Sequence, residues 1–180
     1  MTSKYSLWLV PTGRQAALLS ALIRRLASWN GTPTFLPHVT LMGRIRVPEG
    51  QILAIAERLA GSSSPFQLTF STPEGQEEYF RALYLPVCEN RELGLLHEQA
   101  CKYFHRLEGF LFFPHLSLLY GSLDSKIKTK LISEITREYP RRIQVNQLEV
   151  YKTEGPVEVW QKCGEFPLTG TTWLGSQKIT

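Results

Sequence analysis

Pro37-His38-Val39-Thr40-Leu41 and Pro114-His115-Leu116-Ser117-Leu118 are one pattern written twice, Pro-His-apolar-hydroxyl-Leu, with 77 residues from one histidine to the other. Alternation along a strand sends residues i and i+2 to the same face. Each copy therefore presents an imidazole and a hydroxyl side by side, with aliphatic neighbours turned the other way. Two such pairs facing each other supply an acid, a base and two donors for phosphate oxygens.

The likeness between the halves extends beyond these pentapeptides. Phe35-Leu36 precedes the first and Phe112-Phe113 the second, while Gly43 and Gly121 close them. Upstream, Leu7-Trp8-Leu9 stands about as far before His38 as Leu83-Tyr84-Leu85 stands before His115. Each half reads as aromatic strand, helix, His strand. Two copies cannot make a solenoid, so the repetition points to one duplication about a pseudo-twofold axis.

Working outward, residues 4–10 read as a strand. Thr12-x-x-Gln15 has the form of a capping box that opens a helix with Leu18, Leu22, Leu26 and Trp29 on its apolar side, stopped at Asn30-Gly31. Pro48 opens a second helix bearing Ile52, Ile55, Ala56 and Leu59, and Phe66–Ser71 is a strand. The polar stretch from Thr72 to Glu78 is the crossing between halves. Residues 79–88 form the next strand, Asn90 caps a helix with Leu93, Leu96, His97, Ala100, Cys101 and Phe104 on one face, and Asp124 caps one carrying Ile127, Leu131 and Ile135. Arg142–Lys152 and Val157–Phe166 then pair as a hairpin across Glu154-Gly155-Pro156. This mixture lacks strict βαβ alternation, so the expected class is α+β with two antiparallel-rich sheets. Residues 1–168 form one domain on this reading, with the His strands central and neighbouring, and 169–180 a flexible tail.

Composition bounds the function. With 180 residues, 43% of them hydrophobic, the chain can bury one substantial core. No signal peptide or transmembrane run is visible, and Cys88, Cys101 and Cys163 are odd in number and widely spaced, which suits core cysteines in a reducing intracellular compartment such as the cytoplasm. A net charge of +4 favours a small anionic ligand over a broad nucleic-acid groove. A monomer acting on a small phosphate ester, without a membrane, is expected.

A single histidine in an apolar strand is ordinarily a packing residue. Packing does not call for the same polar pair in both halves, and His97 and His105, which lack the following hydroxyl, serve as contrast. No Asp or Glu lies within either His motif, so neither a metal nor any other cofactor is expected. Gly-x-Ser-x-Gly and Gly-rich phosphate loops are absent as well. Imidazole titrates near neutral pH, so one histidine can take a proton from water while the other gives one to the leaving oxygen. Thr40 and Ser117 are placed to donate to non-bridging oxygens. A strained cyclic phosphate is the substrate for which this machinery suffices.

The motifs His38-Val39-Thr40-Leu41 and His115-Leu116-Ser117-Leu118 resemble the signature of the 2H phosphoesterase superfamily. With Tyr5-Ser6-Leu7-Trp8-Leu9-Val10-Pro11, the chain over residues 4–168 is similar to its fungal and plant cyclic nucleotide phosphodiesterase branch. The resemblance implies an α+β bilobal fold, two pseudosymmetric lobes each with an antiparallel-rich sheet and outer helices around a central cleft, with catalytic His38 and His115 and hydrolysis of nucleoside 2′,3′-cyclic phosphates to 2′-phosphates, or of ADP-ribose 1″,2″-cyclic phosphate to the 1″-phosphate. It also puts an aromatic residue beside the cleft at Trp8, able to stack on a base or to serve as core, and a tyrosine near the phosphate at Tyr120, which requires a bend before Gly121. Arg44, Arg46, Arg81, Arg141 and Arg142 are candidates for attracting the anion. RNA-end-processing relatives carry the same tetrapeptides, which keeps an RNA end open as partner, and a non-catalytic nucleotide-binding module is the third alternative.

Overall fold

The computed structural model describes residues 3–106, 112–136 and 138–170. In chain order the elements are β1 (Tyr5–Pro11), α1 (Gly13–Asn30), β2 (Val39–Ile45), α2 (Glu49–Gly61), β3 (Phe66–Thr69), β4 (Leu83–Pro86), α3 (Arg91–Tyr103), β5 (His115–Leu119), α4 (Ser125–Ile135), β6 (Arg142–Lys152) and β7 (Gln161–Pro167). The class is α+β, as expected.

All strand pairings are antiparallel, in the order β3-β6-β1-β2-β5-β4, with β7 also on β6. The first half and the hairpin supply β1, β2, β6, β7 and β3; the second half supplies β4 and β5. The two sets are joined by Val39 against Leu116, so the His strands are central neighbours. The sheet curls until its edges meet: Phe70 bridges Val87, and Ser71 N and Cys88 N donate to Pro86 O and Thr69 O at 2.9 and 2.8 Å. Helices exchange between halves, since α1 follows β1 but packs on β5, while α3 follows β4 but packs on β2. This interlock brings both His strands under one core of aliphatic side chains from every strand from β1 to β6 and all four helices.

Local details depart from the sequence reading where tertiary packing overrides pattern. Thr12 precedes α1 but makes no cap bond; its Oγ1 accepts from Asn146 Nδ2 at 3.1 Å. The buried side of α1 is Leu19, Leu22, Ile23, Leu26 and Ala27, whereas Leu18 and Trp29 are exposed. The sheet is concave, and the helix meets it about one residue around from the expected stripe. In α4 Ile127 is likewise exposed and Lys128 is buried, its Nζ donating to Gln76 O at 2.9 Å. Residues 79–81 and 157–159 are short 3₁₀ turns rather than strand. Of the cysteines, Cys101 and Cys163 are half-buried and pack against the core, whereas Cys88 is exposed, all three as free thiols.

Helix ends follow the sequence more closely. Gly31 ends α1 at φ 63°, and Asn90 and Asp124 cap α3 and α4 by accepting from Leu93 N and Lys126 N, each at 2.8 Å. No helix among the described residues is long and apolar enough to cross a membrane. Thr169 N and Gly170 N donate to Ala60 O and Ser63 O, and the rest of the expected tail, 171–180, lies outside the described residues.

Candidate active site

Each histidine follows a proline whose ring holds the preceding backbone extended. In that conformation the imidazole folds back on its own chain: His38 Nδ1 donates to Leu36 O at 2.7 Å, and His115 Nδ1 to Phe113 O at 2.8 Å. The repeated sequence thus produces a repeated hydrogen bond, which selects one tautomer in both copies and leaves both Nε2 atoms for the cleft.

The antiparallel register completes the arrangement. With Val39 opposite Leu116, one step along each strand sets His38 opposite Ser117 and Thr40 opposite His115. Cross-strand neighbours stand about 5 Å apart. Each imidazole therefore faces the hydroxyl of the other copy as well as its own, and Thr40 and His115 line one recess of about 160 Å³ with Met42, His97, Cys101 and Phe112. Thr40 and Ser117 differ in availability. The Ser117 hydroxyl donates to Phe80 O at 2.8 Å, whereas the Thr40 hydroxyl has no hydrogen-bond partner among the described residues.

Burial sets the electrostatics. His38 is 6% exposed, and its pKa is lowered to about 4, first by desolvation and further by the nearby His115 charge, against the opposing effect of the Leu36 carbonyl. His115 is half-buried and also lowered, by desolvation and then by Arg81, with the Phe113 carbonyl opposing. In the ligand-free protein both rings are neutral at pH 7. Arg81 pairs with Glu78 and lies over the Phe113 ring at 5.5 Å; Arg44 and Arg81 both act on Glu78. Arg46 faces Glu154 and Arg141 lies over Tyr139, while Arg44 and Arg81 are tied electrostatically to the histidine cluster.

Of the two roles open to Trp8, its surroundings are those of a core residue. Its indole is 3% exposed and stacked on both sides, on His38 at 3.7 Å and on Tyr151 at 3.9 Å, so it has no open face for a base. The counterpart Tyr84 is also buried, edge-on to His115, with its hydroxyl donating to Glu74 at 2.9 Å. Tyr120 is brought to the site: β5 ends at Leu119, the chain bends into Gly121 at φ 138°, and the Tyr120 hydroxyl interacts with Ser117. Burial raises its pKa, so the phenol stays protonated. Its ring stacks on Phe35 at 3.7 Å and meets the edge of Phe80 at 5.1 Å.

Sequence reading missed the aromatic wall formed by Phe35, Phe80, Tyr151 and Trp160. Tyr151 had a signal, since it alternates with Glu149 on a strand; Phe80 and Trp160 sit in irregular turns that carry no period. Among the described residues no three His, Cys, Asp or Glu side chains group closely enough to hold a metal.

A curled antiparallel sheet with two His-x-hydroxyl strands paired at its centre defines a 2H phosphoesterase. Residues 1–168 match the family described as cyclic phosphodiesterase-like protein, and the chain belongs to it. The fold is similar to that of Escherichia coli LigT complexed with phosphate (TM-score 0.61, 17% identity, covering 93% of this chain and 98% of that one). It is similar also to TT0787 of Thermus thermophilus (0.64, 17%, 93% and 98%) and to Kluyveromyces marxianus Usb1 (0.50, 11%, 93% and 99%). No curated protein matches.

Proposed function

We propose that the protein hydrolyses small cyclic phosphates without a metal ion, converting nucleoside 2′,3′-cyclic phosphates to 2′-phosphates or ADP-ribose 1″,2″-cyclic phosphate to the 1″-phosphate. The observation that carries this reading is the pair of Nδ1–carbonyl hydrogen bonds, which leaves Nε2 of the same tautomer available on two imidazoles close enough to act on each other. The crystallisation of LigT, a protein of similar fold, with phosphate supports a phosphate-bearing ligand.

In this mechanism the anionic substrate enters between the strands, and its charge favours protonation of the less buried His115. Neutral His38 takes a proton from water as the water oxygen bonds to phosphorus. The bond from phosphorus to the 3′-oxygen breaks, and His115 Nε2 delivers its proton to that oxygen. Each transfer is worth roughly 10² to 10⁴ in rate. Thr40 donates to a non-bridging oxygen, and Ser117 does so after turning from Phe80 O.

The test is incubation of pure protein, with EDTA present, with the four 2′,3′-cyclic nucleotides and ADP-ribose cyclic phosphate, followed by product identification. Hydrolysis to 2′- or 1″-phosphates is expected. Turnover that vanishes in EDTA and returns with a divalent ion would overturn metal independence, and cleavage of RNA ends alone would move the substrate to oligonucleotides.

A further inference from the structure

Trp8, 3% exposed, lies face to face with a candidate catalytic group, and the proposed mechanism gives it no task. Its ring is parallel to His38 within 12° and to Tyr151 within 23°. Since His38 and Tyr151 make no ring contact with each other, they occupy opposite faces of the indole. Behind Tyr151 the stack is anchored by Glu149, 3% exposed, which lies beside the Tyr151 phenol. Glu149 Oε1 in turn accepts from Gln147 Nε2 at 2.6 Å and faces Lys162 Nζ at 3.5 Å. Strand register builds this row, because Trp8 pairs with Thr40 on β2 and with Glu149 on β6.

We propose that Trp8 is a positioning residue for the reaction rather than a base-stacking one: the Glu149-Tyr151-Trp8 column clamps the His38 ring, fixes its Nε2 toward the cleft and keeps one face of the imidazole dry. Two restraints then hold the ring, the Nδ1 bond to Leu36 O in its plane and the indole across its face. An indole face also attracts an imidazolium, which favours the charged form by up to about thirtyfold. Full burial disfavours that form by about a thousandfold or more. Burial wins, in agreement with the direction found for His38. The titratable groups facing this ring are His115 across the strand pair and, beyond the indole, Tyr151 and Glu149 with its partner Lys162.

The inference rests on the two-histidine reading only for its kinetic arm; the other arm needs no substrate. By NMR titration of the ligand-free protein, His38 is expected to titrate near 4, and its midpoint should rise toward the ordinary 6.5 in Trp8→Ala. Trp8→Phe and Tyr151→Leu, which keep a ring or the indole in place, should move it less in the same direction, and they carry the test if Trp8→Ala does not fold. In the kinetic arm, Trp8→Ala should lower kcat by about ten- to a hundredfold, the scale of a misplaced catalytic group. KM should change by less than about threefold. The loss should be equal for a cyclic nucleotide and for ribose 2′,3′-cyclic phosphate, which has no base. A His38 midpoint that stays put in all three variants would overturn the proposal, as would a loss confined to KM of the base-bearing substrate.

Discussion

Two histidines with the same hydrogen bond and matching neighbours in sequence differ in burial, and that difference has measurable consequences. His38→Ala and His115→Ala should each reduce turnover by at least about a hundredfold with the fold retained, as steady-state kinetics and circular dichroism would show. The hydroxyls should be unequal. Thr40→Ala removes a donor with no competing partner, so a loss of roughly ten- to a hundredfold in kcat/KM is expected. Ser117 must leave Phe80 O before it can donate to phosphate, and Ser117→Ala should cost less than Thr40→Ala in the same assay. Stability should also report the buried ring. The folded pKa of His38 is lowered to about 4 from 6.5, so above pH 6.5 the ring is neutral in both states and contributes no loss. As pH falls from 6.5 toward 4 the unfolded chain takes the proton first, and on the order of 3 kcal/mol of stability is lost from this group, with His97 and His115 acting in the same direction. Urea unfolding at several pH values in that window should show the decline, and His38→Gln should flatten part of it.

At the level of elements, α1 tests how far periodicity can be read. Leu18 and Leu19 are adjacent leucines in one helix, yet Leu18 is 46% exposed and Leu19 is fully buried. Leu19→Ala should destabilise by about 2 to 5 kcal/mol, whereas Leu18→Ala should cost less than about 1 kcal/mol, both measured by denaturant unfolding. In an 18-residue run with leucines at 18, 19, 22 and 26 and Ile23 among them, two stripes one residue apart fit the same sequence. The curvature of the sheet selects between them. By contrast α2, with Ile52, Ile55, Ala56 and Leu59 as its only strong stripe, matches its reading, and the asparagine and aspartate caps of α3 and α4 were legible because a cap depends on the few residues next to it.

Over the whole molecule, the segment from Glu74 to Arg81 links the far end of the sheet to the site. Lys128 on α4 donates to Gln76 O, Gln76 donates to the Tyr84 hydroxyl at 3.0 Å, and five residues after Glu74 the segment reaches the 3₁₀ turn whose Phe80 carbonyl holds Ser117. Gly75 lies against the Lys128 stem, where a Cβ would come within 2.5 Å of it. Lys128→Ala should therefore lower stability by about 1 to 3 kcal/mol, since it removes a buried side chain and leaves the part-buried Gln76 carbonyl without this donor. It should also lower kcat, although Lys128 belongs to a different element from either histidine. An unchanged thermal midpoint and rate would show that the segment holds its place without this strut.

The sequence by itself determined the parts of this protein that repeat or that are local: the paired Pro-His-x-hydroxyl strands, their adjacency, the α+β class and the Asn90 and Asp124 helix caps. A duplication is visible in one dimension because both copies obey the same alternation and the same backbone constraint from proline. Only the tertiary structure decided what depends on curvature and on contacts distant in sequence. It crossed each histidine with the other copy's hydroxyl through the register of β2 on β5, and it closed the sheet through Phe70 and Val87. It committed Ser117 to Phe80 and buried Trp8 between His38 and Tyr151, residues 30 and 143 positions away in the chain. The physical reason is that a side chain's neighbours across a curled sheet are set by register and bending, and no period along one strand encodes either.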